Sequence, residues 1–112
     1  MTADAGEVRL RVRFEGHVQG VGLRGTLSKY CLKRHVSGWM CNTPDRELVL
    51  AELQGTRAAI DATLRAVRTY FGDPGRCRGM SVRHKELVAC LEGESGMREI
   101  PWSEIPAEAK EI

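Results

Sequence analysis

An α+β sandwich, with two helices on one face of an antiparallel sheet, is the fold this sequence predicts. Apolar residues alternate with charged ones across positions 8–15. Two later segments repeat apolar residues every three to four positions, and a proline turn joins two strand-like runs between them. A length of 112 residues, 42% hydrophobic and 29% charged, allows one domain and leaves no room for a doubly wound sheet.

Val8, Leu10, Val12 and Phe14 alternate with Arg9, Arg11, Arg13 and Glu15. The first strand therefore has one buried face and one solvated face carrying the arginines. It stops at Gly16. Leu23, Leu27, Tyr30 and Cys31 then share one helical face, while Lys29, Lys33 and Arg34 bring positive charge toward the helix C-terminus, where the macrodipole favours it. Val36 to Asn42 reads as a short strand, Thr43-Pro44-Asp45-Arg46 as turn chemistry, and Glu47 to Gln54 as the paired strand, broken by Gly55. Ile60, Leu64, Val67 and Phe71 mark a second helix that ends before Gly72 and Pro74. A weaker strand is expected around 79–85. An apolar-tinged segment, Leu87 to Leu91, follows it, and Met97 to Ile100 reads as an edge strand. Residues 101–112 form a tail beyond a core of about 8–100, anchored only by Trp102. This order, βαββαβ with an optional fifth strand, is the ferredoxin-like sandwich, spanning 1–112 as a single domain. The fold hosts many activities and decides none.

A formal net charge of +2 fits neither a disordered acidic tail nor a histone-like nucleic-acid binder. The solvated positions of the first strand offer arginines and no aromatic, unlike sheets that stack RNA bases, so no nucleic-acid partner is expected. No run of about 18 apolar residues exists to span a membrane, and no basic-then-apolar signal opens the chain. A soluble, cytoplasmic, monomeric protein is the expectation. Cys31, Cys41, Cys77 and Cys90 lie at least ten positions apart, without a C-x-x-C pair. Reduced, buried thiols are therefore expected, with no disulfide framework, no metal site and no cofactor.

The stretch Gly16 to Arg24 carries the chemistry. Gly16, Gly20 and Gly22 free the backbone to turn so that neighbouring N–H groups converge. The helix starting near Leu23 aims its unpaired N–H donors at the same space, and Arg24 adds a guanidinium fork suited to two phosphate oxygens. Gly20-Val21-Gly22-Leu23-Arg24-Gly25 also matches G-x-G-x-x-G, with Asp45 twenty residues after Gly25. That fingerprint needs a parallel βαβ unit, whereas Asp45 lies in a tight hairpin. The pattern G-x-x-x-x-G-K-[ST] fails, because no Lys-Ser or Lys-Thr follows the glycines.

Gly16-His17-Val18-Gln19-Gly20-Val21-Gly22-Leu23-Arg24, followed by Gly38-Trp39-Met40-Cys41-Asn42-Thr43-Pro44-Asp45, resembles the two signature segments of the acylphosphatase family. The resemblance runs from about Val8 to Lys85, with Asn42 eighteen residues after Arg24. It implies metal-independent hydrolysis of small acyl phosphates to carboxylate and inorganic phosphate, with no covalent intermediate. Arg24 would take the family's phosphate-binding role and Asn42 its water-positioning role. The backbone amides of Val18, Gln19, Gly20, Val21, Gly22 and Leu23 would hold the phosphoryl oxygens. The family also contains the acylphosphatase-like domains of hydrogenase-maturation carbamoyltransferases, much longer chains than this one.

Several residues carry plainer readings. Asn42 could cap the following turn. His17 is expected exposed in the loop, Trp39 to pack, and Cys41 to point away from Asn42 across the strand. Leu23 stands where the family usually has Phe, Arg46 where it has Gly after the Asp, and the chain from Cys77 onward follows the pattern poorly.

Overall fold

The alternating N-terminal run becomes strand β1 (Glu7–Glu15), with Leu10, Val12 and Phe14 buried in the main core. Helix α1 (Leu23–Lys33) adds Leu23, Leu27 and Cys31 to that core. Strands β2 (Ser37–Asn42) and β3 (Leu48–Thr56) form the expected hairpin. Helix α2 (Arg57–Phe71) contributes Ile60, Leu64, Val67 and Phe71, and strands β4 (Ser81–Val88) and β5 (Met97–Glu99) follow. The computed structural model describes residues 6–16, 22–71 and 80–111. The sheet order is β4-β1-β3-β2-β5, and the two helices cover one face.

Two element boundaries moved for local reasons. Gly55 does not break its strand: it pairs with Val8, and β3 continues to Thr56. The Thr56 hydroxyl oxygen then accepts the Ala59 N–H at 3.1 Å, so α2 starts at Arg57 under a threonine cap, ahead of its first periodic apolar residue. Gly38 is required where it stands. Its φ is +140°, and a Cβ would sit 1.8 Å from the carbonyl oxygen of Glu52 on β3.

The sheet is mixed, not wholly antiparallel, because β5 runs parallel to β2. Topology dictates this. Strand β4, at the far edge, ends with Val88 beside Arg9 near the start of β1. The connection 89–96 then crosses the face away from the helices at that same end. Leu91 donates to Gln54 Oε1 at 2.9 Å and accepts from Gln54 Nε2 at 2.8 Å. The Gly38 N–H donates to the Gly96 carbonyl at 3.1 Å, so the last strand begins beside the start of β2 and can only run along it.

That crossing overturns the expectation of a solvated arginine face. Arg9 and Arg11 are only 1% and 5% exposed, while Arg13 is half-buried and pairs with Glu15. Glu52 on β3, itself 3% exposed, bridges them: its carboxylate accepts Arg9 Nε at 2.6 Å and Arg11 Nε at 2.8 Å. Arg9 Nη1 also pairs with Glu94 of the connection at 2.7 Å. Farther along this face, Trp39, Cys41 and Leu50 form a second core with Ile105 and Ala109. The C-terminal segment is thus a packed cover of two 3₁₀ turns, Trp102–Glu104 and Ala107–Glu111, not a tail with one anchor. Lys110 sits over the Trp102 ring, 4.9 Å from its centre.

Removing Glu52 leaves two buried guanidiniums without their shared counter-ion. Glu52→Ala is expected to destabilise the fold by about 3–5 kcal/mol, and Glu52→Gln by less. Urea denaturation followed by far-UV circular dichroism measures both; a loss under 1 kcal/mol for Glu52→Ala contradicts the bridging role.

Candidate active site

Strand register gathers the candidate residues at one end of the sheet. Glu15, the last residue of β1, pairs with Leu48, the first of β3, and Asn42, the last of β2, pairs with Val49. Gly16 follows β1 directly, and its N–H donates to the Glu47 carbonyl of the hairpin turn at 3.0 Å. Helix α1 begins with Gly22 as its N-cap, at φ +85° and ψ 13°, a left-handed conformation that suits glycine. The Gly22 carbonyl accepts the Thr26 N–H at 3.0 Å and closes the first helical turn. No acidic residue occupies that turn, so nothing on the helix itself offsets the positive end of its dipole.

Leu23 is buried, so an apolar anchor at the start of α1 survives with Leu in place of Phe. Arg24, one residue on, has a half-exposed side chain and pairs through Nη1 with Glu99 Oε1 on β5. No other partner of this guanidinium is found among the described residues. Val18, Gln19, Gly20 and Val21, with His17, lie outside the described residues; of the expected phosphate-binding set, Gly22, Leu23 and Arg24 lie within them.

Asn42 is half-buried on the helix-facing side of β2, on the same side as Met40, while Cys41 packs on the opposite side with Trp39. Its Oδ1 is buried without a hydrogen-bond partner among the described residues. The turn does without it. Thr43 Oγ1 donates toward the carbonyls of Asp45 at 2.9 Å and Leu48 at 3.1 Å, and accepts the Asp45 N–H at 3.1 Å. The Asp45 carboxylate accepts the Glu47 N–H at 2.9 Å. The capping role open to Asn42 in the sequence thus falls to Thr43 and Asp45. A buried carbonyl oxygen left unpaired costs about 1–3 kcal/mol, and such groups collect where a site has a use for them.

Burial raises the Cys41 thiol above its ordinary range, and the positive charges of Lys110 and Arg24 pull it back. Glu99 was legible only as part of an edge strand; a contact 75 positions away along the chain leaves no local signal. A depression of about 630 Å³ between α1 and α2, lined by Tyr30, Arg34, Arg65 and Tyr70, belongs to another part of the surface.

A family model described as Acylphosphatase matches residues 10–90. The chain belongs to the acylphosphatase family. The acylphosphatase of Chlorobaculum tepidum is 35% identical over 89 residues, 77% of this chain and 92% of that protein. That of Pyrobaculum aerophilum is 34% identical over 79 residues, 70% of this chain and 81% of that one. Among solved structures, an acylphosphatase from Coxiella burnetii superposes with a TM-score of 0.66 at 20% identity, covering 89% of this chain and 99% of that one. At that identity the likeness shows the shared fold, which is ferredoxin-like.

Three cysteines fall within the described residues, all free: Cys31 and Cys41 are buried, but Cys90 is exposed, against the expectation of burial throughout. It follows β4 at the edge of the sheet, outside both cores. Cys77 lies outside the described residues. No group of metal-ligating side chains occurs among the described residues. Burial pushes the Cys31 thiol from 9.0 up to about 12, against a smaller lowering by Arg34. The fold therefore holds a proton that the unfolded chain releases, so this contribution is complete below pH 9 and is lost as pH rises toward 12. Between pH 8 and 11 the denaturation midpoint of the parent chain should fall more steeply than that of Cys31→Ala. Parallel pH profiles of the two would contradict it.

Proposed function

We propose that this chain hydrolyses the carboxyl–phosphate bond of small acyl phosphates, with Arg24 and the loop amides of residues 18–23 holding the phosphoryl group and Asn42 orienting water. The observation that carries the reading is the Asn42 Oδ1, buried without a partner among the described residues at the end of the sheet where β1 also finishes. Membership of the family supports the activity, and the register that puts the ends of β1 and β2 at one end of the sheet supports the division of roles.

The chemistry asks little more of the protein. A phosphoryl group in transfer spreads negative charge over three oxygens, and catalysis consists mainly of holding it and aligning the nucleophile. Arg24 and backbone N–H groups supply positive potential. Asn42 accepts one O–H of the attacking water through Oδ1 without changing its own protonation state. Water oxygen bonds to phosphorus as the bond from phosphorus to the carboxylate oxygen breaks. The departing carboxylate is a weak base, so no general acid is demanded, and the water proton passes to a phosphate oxygen of the substrate. No protein side chain is acylated or phosphorylated, and no metal enters these steps.

Phosphate release from benzoyl phosphate, measured in chelator, tests this directly. Arg24→Ala is expected to lose on the order of 10² to 10⁴ in rate together with phosphate affinity, as charge-assisted bonds are lost. Activity near that of the parent chain would refute the role. Asn42→Ala is expected to lower kcat by roughly 10² to 10³ while inorganic phosphate still binds. Loss of phosphate binding in that variant would instead make Asn42 part of the anion pocket.

A further inference from the structure

We propose that Glu99 is a positioning residue for this reaction: it holds the Arg24 guanidinium by one nitrogen, so that the opposite edge faces the phosphoryl site beside Asn42. The inference rests on the phosphate-binding role given to Arg24 above.

Glu99 is placed rigidly with respect to Asn42. It pairs with Met40 across the parallel β2–β5 ladder, and the next residue, Ile100, donates its N–H to the Met40 carbonyl at 3.0 Å. Its carboxylate therefore stands at a sheet position two residues from Asn42. Arg24 has no such fixture of its own. It lies in the first turn of α1, with 48% of its side chain exposed, and a free arginine there explores many rotamers. The contact to Glu99 uses Nη1 alone. Nε and Nη2 have no partner among the described residues, and together they form the two-donor edge that matches two phosphate oxygens.

Exposed ion pairs contribute little to stability, and 54% of the Glu99 side chain is open to solvent. The pair therefore matters through orientation: it ties a residue of the helix layer to the strand next to Asn42. A carboxylate that merely blocked the arginine would do so best by engaging the fork bidentately, which this one does not.

The test measures inorganic phosphate affinity by calorimetry, and kcat and KM for benzoyl phosphate, in Glu99→Ala and Glu99→Gln, each alone and with Arg24→Ala. Ordering one long side chain corresponds to a change of about 3- to 10-fold, so Glu99→Ala should weaken phosphate binding by that factor and lower kcat/KM at least as much. Glu99→Gln should fall between Glu99→Ala and the parent chain. With Arg24→Ala already present, neither change should lower kcat/KM further. Glu99→Gln preserves the size of the side chain and carries the test should Glu99→Ala disturb the edge strand. Unchanged or tighter phosphate binding overturns the proposal, because Glu99 is then a bystander or a competitor. An equal loss with and without Arg24 also overturns it, because Glu99 then acts through the strand. If Arg24→Ala alone keeps full phosphate affinity, the phosphate-site reading fails first, a result distinct from any Glu99 outcome.

Discussion

A carboxylate shared between two arginines is the interaction on which this architecture turns. Glu52 lies on the central strand of the sheet, on the face away from the helices, with Arg11 of the adjoining strand directly opposite and Arg9 diagonal to it. Without it, that face would carry two positive charges that nothing apolar could cover. With it, the connection 89–96 can lie across the sheet and contribute Glu94 to the same lattice. The connection in turn decides where β5 begins and which way it runs. An ionic cluster far from the candidate chemistry therefore places the edge strand that carries Glu99 to Arg24. Buried ion pairs are weak evidence of stability in general. Here the lattice also specifies a chain path.

The end of the sheet where β1 and β2 finish shows the complementary arrangement. Both strands run the same way, because each is antiparallel to β3 between them. Their C-terminal residues therefore arrive at the same end of the sheet, on either side of β3. There the Gly16 N–H donates to the Glu47 carbonyl, and Thr43 and Asp45 tie the hairpin. The hairpin holds itself together, and the Asn42 Oδ1 has no hydrogen-bond partner among the described residues.

Much of this was legible in the chain. Periodicity gave both helices and the first strand, whose apolar faces lie in the main core, and turn chemistry at 43–46 marked the hairpin of β2 and β3. The glycine stretch, Arg24 and Asn42 stood out because their spacing matches a family pattern. What stayed hidden depends on distant partners. Alternating arginines signal water only when nothing crosses the strand, and the segment that crosses it lies more than seventy-five positions onward. The parallel course of β5 follows from where the connection crosses, which no residue within Met97–Glu99 encodes. The C-terminal segment looked unanchored because Ala109 sits in a 3₁₀ turn too short to show a period and Ile105 in the extended link before it.

The two tryptophans give the molecule an optical asymmetry. Trp39 is buried on the sheet face beneath the C-terminal cover, and Trp102 belongs to that cover, so the chain's only indoles lie on this side. The helix layer carries Tyr30, Tyr70 and Phe71 instead. Indole emission consequently reports peeling of the cover from the sheet, while rearrangements between the two helices leave it nearly silent. Detachment of one layer and loosening of the other are thus separable by colour in the unlabelled protein.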